Sequence, residues 1–146
     1  MTTALAPAKI AKQLAKKFPD AVIEAGPGGL LLESEKLLAV MEHLKTSPDL
    51  DFSYLNHVTG VDYYDYFEVV YQLTSLKHNH GLALKVRCYD REKPVLPSVT
   101  GLWQGADLQE REIFDLLGIG FEGHPNLRRI VLWEGFKGHP LRKDYL

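Results

Sequence analysis

A chain of 146 residues, 45% hydrophobic and 25% charged, holds apolar material for one compact core, and its length gives no reason to expect two. A formal net charge of -2 provides no basic field to gather nucleic acid or an anionic membrane. Cys88 is the only cysteine, which excludes an intramolecular disulfide and any cluster held by several thiolates of this chain alone. The segment 1–8 lacks the basic start and apolar run of a leader, and no stretch approaches the roughly 18 apolar residues that span a bilayer. The expectation is a soluble, unprocessed chain.

Taken in chain order, Ile10, Leu14 and Phe18 recur every four residues while Lys9, Lys12, Lys16 and Lys17 take other faces, which predicts a short amphipathic surface helix stopped by Pro19. β-prone runs at 21–25 and 30–33 flank Gly26-Pro27-Gly28-Gly29, the pattern of a hairpin. Ser34 is placed to cap a helix carrying Leu37, Leu38, Met41 and Leu44 on one side, with Ser47-Pro48 ending it. Three strands are expected at 52–58, 66–74 and 82–89, rich in Val, Tyr, Phe and Leu. Polar turns separate them at 62–66 and 77–81. The stretch 90–103 contains Pro94, Pro97 and Gly101 and reads as a long irregular connection of the kind that serves a site or a partner. A helix over 107–117 follows, with Asp107 and Glu110 spaced as a capping box and Gly118 as its left-handed stop. This order departs from strict βαβ alternation. It points to a two-layer α+β domain, helices packed on a mixed sheet, divided into a core at 1–106 and a signature helix with an extended C-terminal tail at 107–146 of the same domain.

The candidate chemistries are weak. His78 and His80 are separated by one residue but lack the cysteine or carboxylate partners of a metal site, so a solvated turn is expected. Glu110, Arg111, Glu112 and Asp115 could tune an acid and a base. Arg111 and Asp115, four apart on a helix, are expected to pair instead. The glycines at 26–29 lie between strands and lack the ending of a phosphate loop. Cys88 sits in a strand-like run with no adjacent base, so a packed thiol is expected.

The tail is the most distinctive part. Gly-His-Pro occurs twice, at 123–125 and 138–140, followed by Arg128 and Arg129 after the first copy and by Arg142 and Lys143 after the second. Glycine and proline fix backbone direction without supplying apolar burial, so the tail is expected to lie over another surface and present guanidinium forks to it. Interspersed Glu122, Glu134 and Asp144 favour a protein surface over nucleic acid. His124 and His139 are expected to pack and hydrogen-bond rather than bind metal.

The run from Glu110-Arg111-Glu112-Ile113-Phe114-Asp115-Leu116-Leu117-Gly118-Ile119 through Phe121 and 123–130 to 138–145 resembles the signature of the C subunit of NADH-quinone oxidoreductase, respiratory complex I. Related subunits serve hydrogenase-like complexes. The resemblance covers the last quarter of the chain closely and 98–103 more loosely. It implies a peripheral-arm subunit of a proton-translocating quinone oxidoreductase, on the cytoplasmic side of the cell membrane, with no catalytic residues and no cofactor of its own. Iron-sulfur clusters, quinone and FMN or NADH would belong to other subunits. The implied partners are the quinone-site subunit, known as the D subunit, over which the tail extends, and neighbouring iron-sulfur subunits. The residues carried over as interface are Glu110, Arg111, Glu112, Asp115, His124, Pro125, Arg128, Arg129, His139, Pro140, Arg142, Lys143 and Asp144. An accessory subunit of a membrane-bound hydrogenase-type complex, and a stand-alone enzyme pairing His124 with Glu122, remain alternatives.

Overall fold

The computed structural model describes residues 3–133 and 136–144. Along the chain run β1 (Thr3–Ala4), α1 (Pro7–Lys17), β2 (Val22–Gly26), β3 (Gly29–Leu32), a 3₁₀ turn (Ser34–Lys36), α2 (Leu37–Thr46), β4 (Tyr54–Asp62), β5 (Phe67–Ser75), β6 (His80–Cys88), β7 (Val95–Pro97), α3 (Ala106–Leu117) and β8 (Gly120–Glu122). The fold is α+β. A mixed sheet runs in the order β2, β3, β6, β5, β4, and β1 pairs in parallel with the first residues of β6.

Strand periodicity builds the core. Phe67, Val69, Tyr71 and Leu73 of β5 stand opposite Cys88, Val86, Leu84 and Leu82 of β6, and all eight are buried, because alternate side chains share one sheet face. The intervening residues form the other face, where Arg87 pairs with Glu68 at 3.1 Å. Ile10 and Leu14 of α1 and Leu37, Val40, Met41 and Leu44 of α2 join the same buried cluster as Ile113 and Leu117 of α3. The lysines of α1 stay exposed, as the amphipathic pattern requires.

Several local expectations change. Ser34 opens the 3₁₀ turn and its side chain caps nothing. That turn shifts the phase of α2, so Val40 is buried and Leu38 is left 43% exposed. The first of the three long strands begins later than expected and continues through Gly60 to Asp62. Gly60 is where α3 approaches: a Cβ there would lie 2.7 Å from Leu117 and 3.1 Å from Ile113, so the glycine admits the helix rather than breaking the strand. The 90–103 stretch is not wholly irregular. Val95, Leu96 and Pro97 pair in parallel with Gly120, Phe121 and Glu122, and Leu96 and Phe121 are buried. No capping box forms on α3, whose cap is Gly105 without a side-chain bond, because Glu110 turns inward. Among the described residues no helix is long and apolar enough to cross a membrane.

Candidate functional site

Three buried carboxylates organise the end of the molecule that carries α3 and the tail. Glu110 is fully buried. Its Oε1 accepts the Ser98 hydroxyl at 2.6 Å and its Oε2 accepts the Val99 amide at 2.9 Å, while the Ser98 oxygen lies 2.9 Å from the Thr100 hydroxyl. The carboxylate therefore fixes the connection between β7 and α3. Burial pushes its pKa up, opposed by the Ser98 and Val99 bonds.

Asp115, five residues further along α3 and also fully buried, gathers the first part of the tail. Its Oδ2 accepts three successive backbone amides, Ile130 at 3.1 Å, Val131 at 2.8 Å and Leu132 at 2.9 Å. Its Oδ1 accepts Arg129 at 2.7 Å, and the same guanidinium reaches the Gly138 carbonyl at 2.7 Å. Burial would raise this carboxyl, but the three amides and Arg129 outweigh it and hold the pKa below the usual aspartate value. The expected pair of Arg111 with Asp115 does not form, because Asp115 points inward. Arg111 instead donates to the Arg128 carbonyl at 3.0 Å.

The end of α3 is closed by the tail itself. Gly118 adopts φ +80°, and a Cβ there would lie 2.7 Å from the His139 ring, so both its backbone and its missing side chain are used. His139 Nδ1 donates to the Asp115 carbonyl at 2.9 Å, and the Leu141 amide donates to the Leu116 carbonyl at 2.9 Å. These are carbonyls that a helix terminus otherwise leaves unpaired.

Asp62, 3% exposed at the end of β4, holds the last part. It takes Arg91 through both nitrogens at 2.7 and 2.9 Å, the Tyr64 amide at 2.8 Å and the Lys143 amide at 2.8 Å. Arg91 also reaches Asp144 at 3.1 Å, and Arg142 donates to the Arg91 carbonyl. Both guanidiniums lie over the Phe67 ring, at 4.6 and 4.9 Å. The Arg91 bonds lead in holding the Asp62 carboxyl far below the usual range. Asp62 and Arg91 carry no sequence signal of this role. Their partners lie 81 and 53 residues away, so only the folded chain shows it.

The remaining candidates fall into place around this frame. His124 accepts the Asn126 amide on Nδ1 at 2.9 Å, which places its proton on Nε2. That nitrogen donates to the Asp107 carbonyl at 3.1 Å. The Asp107 carboxylate, 3.0 Å away, adds electrostatic attraction without directed geometry. The proposed His124 and Glu122 dyad is thereby corrected: both ring nitrogens are engaged elsewhere, and Glu122 is exposed on β8. Pro125, Arg128, Glu112, Lys143 and Asp144 are exposed, Pro140 is half-buried, and Glu134 and Tyr145 lie outside the described residues. Glu110 and Asp115 cannot face a partner directly. Arg129 and Arg142 spend their forks on this chain rather than presenting them outward, because interior acceptors lie within reach.

Elsewhere, His78 lies in an exposed turn at 76–79, as expected, with His80 half-buried at the start of β6, and both rings also serve the fold. Their rings stack at 5.5 Å, and their Nε2 atoms donate to the carbonyls of Pro48 at 2.8 Å and Leu50 at 3.0 Å, clipping the loop after α2. Cys88 is packed as expected, and burial pushes its thiol up to about 11. Among the described residues no group of three or more His, Cys, Asp or Glu side chains is arranged to hold a metal ion.

Fold and site together define an α+β domain whose C-terminal tail is clasped onto its own last helix by interior carboxylates. Residues 30–146 match the family described as respiratory-chain NADH dehydrogenase, 30 Kd subunit, and the chain belongs to that family. It is 41% identical to the NADH-quinone oxidoreductase C subunit of Roseiflexus sp. (strain RS-1), over 97% of this chain and 84% of the relative. It is 41% identical to the corresponding C subunit of Moorella thermoacetica, over 92% and 91%. With the C 2 subunit of Rhizobium meliloti it shares 46% identity over 76% of this chain and 62% of the relative. The fold is similar to that of a chain in the structure of the membrane-bound sulfane sulfur reductase, an archaeal respiratory membrane complex, with a TM-score of 0.75, 24% identity, and coverage of 94% of this chain and 84% of that one.

Proposed function

We propose that this chain is a structural subunit of the peripheral arm of a proton-translocating quinone oxidoreductase, on the cytoplasmic side of the membrane, and that its tail docks on the quinone-site (D) subunit beside the iron-sulfur subunits. It binds no cofactor itself; the clusters, the quinone and any FMN or NADH belong to its neighbours. One observation carries this reading. Large apolar side chains stand exposed on a segment whose backbone is pinned: Ile130 by 38%, Val131 by 57%, Trp133 by 69% and Leu141 by 59%. Large apolar side chains left in water on an ordered backbone suit a contact surface, and tryptophan is enriched among the residues that dominate binding. Arg128, exposed two residues before Ile130, adds a cation to the same segment. Family membership supports the identity of the partners.

Affinity purification of the tagged full chain from its native membranes tests this reading. Recovery with the quinone-site subunit and iron-sulfur subunits is expected. Recovery of the chain alone, under conditions that keep the rest of the complex together, refutes it.

A further inference from the structure

We propose that Asp62 and Asp115 are positioning residues for docking: they hold the tail in its binding conformation before any partner arrives. The inference rests on the proposed docking role and adds how the surface is prepared. Ile130, Val131, Trp133 and Leu141 face outward, so burial of these side chains cannot fix the segment without removing the surface it offers. Its backbone is held instead. Asp115 draws in three consecutive amides with a single oxygen, a tight arrangement that turns the backbone of 130–132 toward the domain and leaves the Ile130 and Val131 side chains outside. Asp62 repeats the device at the other end through the Lys143 amide.

The stretch between the two latches has further ties to the domain. Arg129 spans from Asp115 to the Gly138 carbonyl, and His139 and Leu141 cap the carbonyls of Asp115 and Leu116. Both acids lie in the interior, at 3% and 0% exposure. There a carboxylate accepting amides is strong and poorly replaced by water. The ordering entropy of the tail is thus met when the domain folds, and docking proceeds from a prepared surface, which raises affinity without adding a contact. A released tail would have to find this conformation first, and its apparent affinity would fall by the fraction of time spent there.

The test uses the full chain, the variants Asp115→Asn, Asp62→Asn and Lys143→Pro, and native complex depleted of this subunit. Lys143→Pro removes the amide donated to Asp62 together with the ammonium over the Tyr64 ring but leaves the Asp62 and Arg91 pair in place, so it stays informative if an acid variant fails to fold. Amide exchange on the isolated chain is expected to show protection at Ile130, Val131, Leu132 and Lys143. Asp115→Asn loses it at Ile130, Val131 and Leu132 and Asp62→Asn at Lys143, while Lys143→Pro, which has no amide at 143, loses the protection of the neighbouring Leu141 and Arg142 amides; β5 and β6 stay protected in all three. Rebinding to the depleted complex is expected to show an on-rate at least tenfold lower for each variant with a nearly unchanged off-rate. Trp133→Ala, which removes a contact, raises the off-rate instead. Unprotected tail amides in the unaltered chain overturn the proposal. So do variants that lose protection yet rebind at the normal rate. Failure of the unaltered chain to rebind removes the docking reading, and this inference with it.

Discussion

Replacing Glu110 separates a buried anchor from a surface contact. In Glu110→Ala, the Ser98 hydroxyl and the Val99 amide both lose their acceptor. Ser98 can turn to Thr100, 2.9 Å away, but the Val99 amide is left in a region where Val99 itself is fully buried. An unsatisfied buried donor costs about 1–3 kcal/mol, and removing the side chain from a fully buried site adds a cavity cost, typically bringing such truncations to about 2–5 kcal/mol. Opposing this, burial disfavours the carboxylate itself, so the net loss should fall near the lower half of that range, about 2–3 kcal/mol. Glu110→Gln keeps one acceptor oxygen but sets an amide donor against one of the two donors, and should cost about 1–2 kcal/mol. Urea denaturation of the isolated chain, followed by circular dichroism, reads both values as midpoint shifts at constant slope. A stability within about 0.5 kcal/mol of the unaltered chain for Glu110→Ala would refute the anchor role.

Four further outcomes follow from the geometry. Asp62 and Asp115 are depressed below the ordinary aspartate value of 3.8, so their contribution is present above that pH and is lost as pH falls below it, through their lowered values; NMR of the isolated chain should show the amides of Ile130, Val131, Leu132 and Lys143 shifting only in that acid window. Glu110 runs the other way: raised above 4.5, it favours the folded state below 4.5, and that contribution fades as pH rises through its folded value, a slope that Glu110→Gln should abolish. Gly118→Ala meets both a left-handed backbone at φ +80° and the His139 ring at 2.7 Å, and should cost about 1–2 kcal/mol from the backbone alone, with protection at the Leu141 amide lost; unchanged denaturation would contradict it. The Cys88 thiol, pushed up to about 11 by burial, should resist alkylation at pH 8 until urea unfolds the chain, as mass spectrometry would record.

Elements carrying a clear local periodicity were legible in the sequence. The α1 stripe of Ile10 and Leu14, the three long strands and the glycine stop at 118 follow from patterning that acts over a few residues. Elements set by distant partners were not. β7 has only three residues and a terminal proline, and pairs with β8 some 25 positions on. The Ser34 cap failed because a single 3₁₀ turn shifted the register of α2. In the site, the spacing of Arg111 and Asp115 suggested a helical pair, yet tertiary acceptors and donors won, since a fully buried carboxylate needs more partners than one flexible arginine supplies. Gly-His-Pro marked the tail correctly as unusual. Its two histidines bond and pack as expected, while Arg129 and Arg142 serve the chain's own interior. Asp62 and Arg91 were invisible because nothing local to either announces a partner at 143–144.

On the proposed reading, the pinned apolar segment at 130–133 is where this chain meets its complex. Replacing Val131 by a photo-activated benzoyl-phenylalanine in the assembled complex, irradiating, and identifying the crosslinked peptide by mass spectrometry addresses it directly. A crosslink to the quinone-site subunit is expected, lost when docking is blocked. A crosslink confined to this chain, to lipid or to solvent would contradict it.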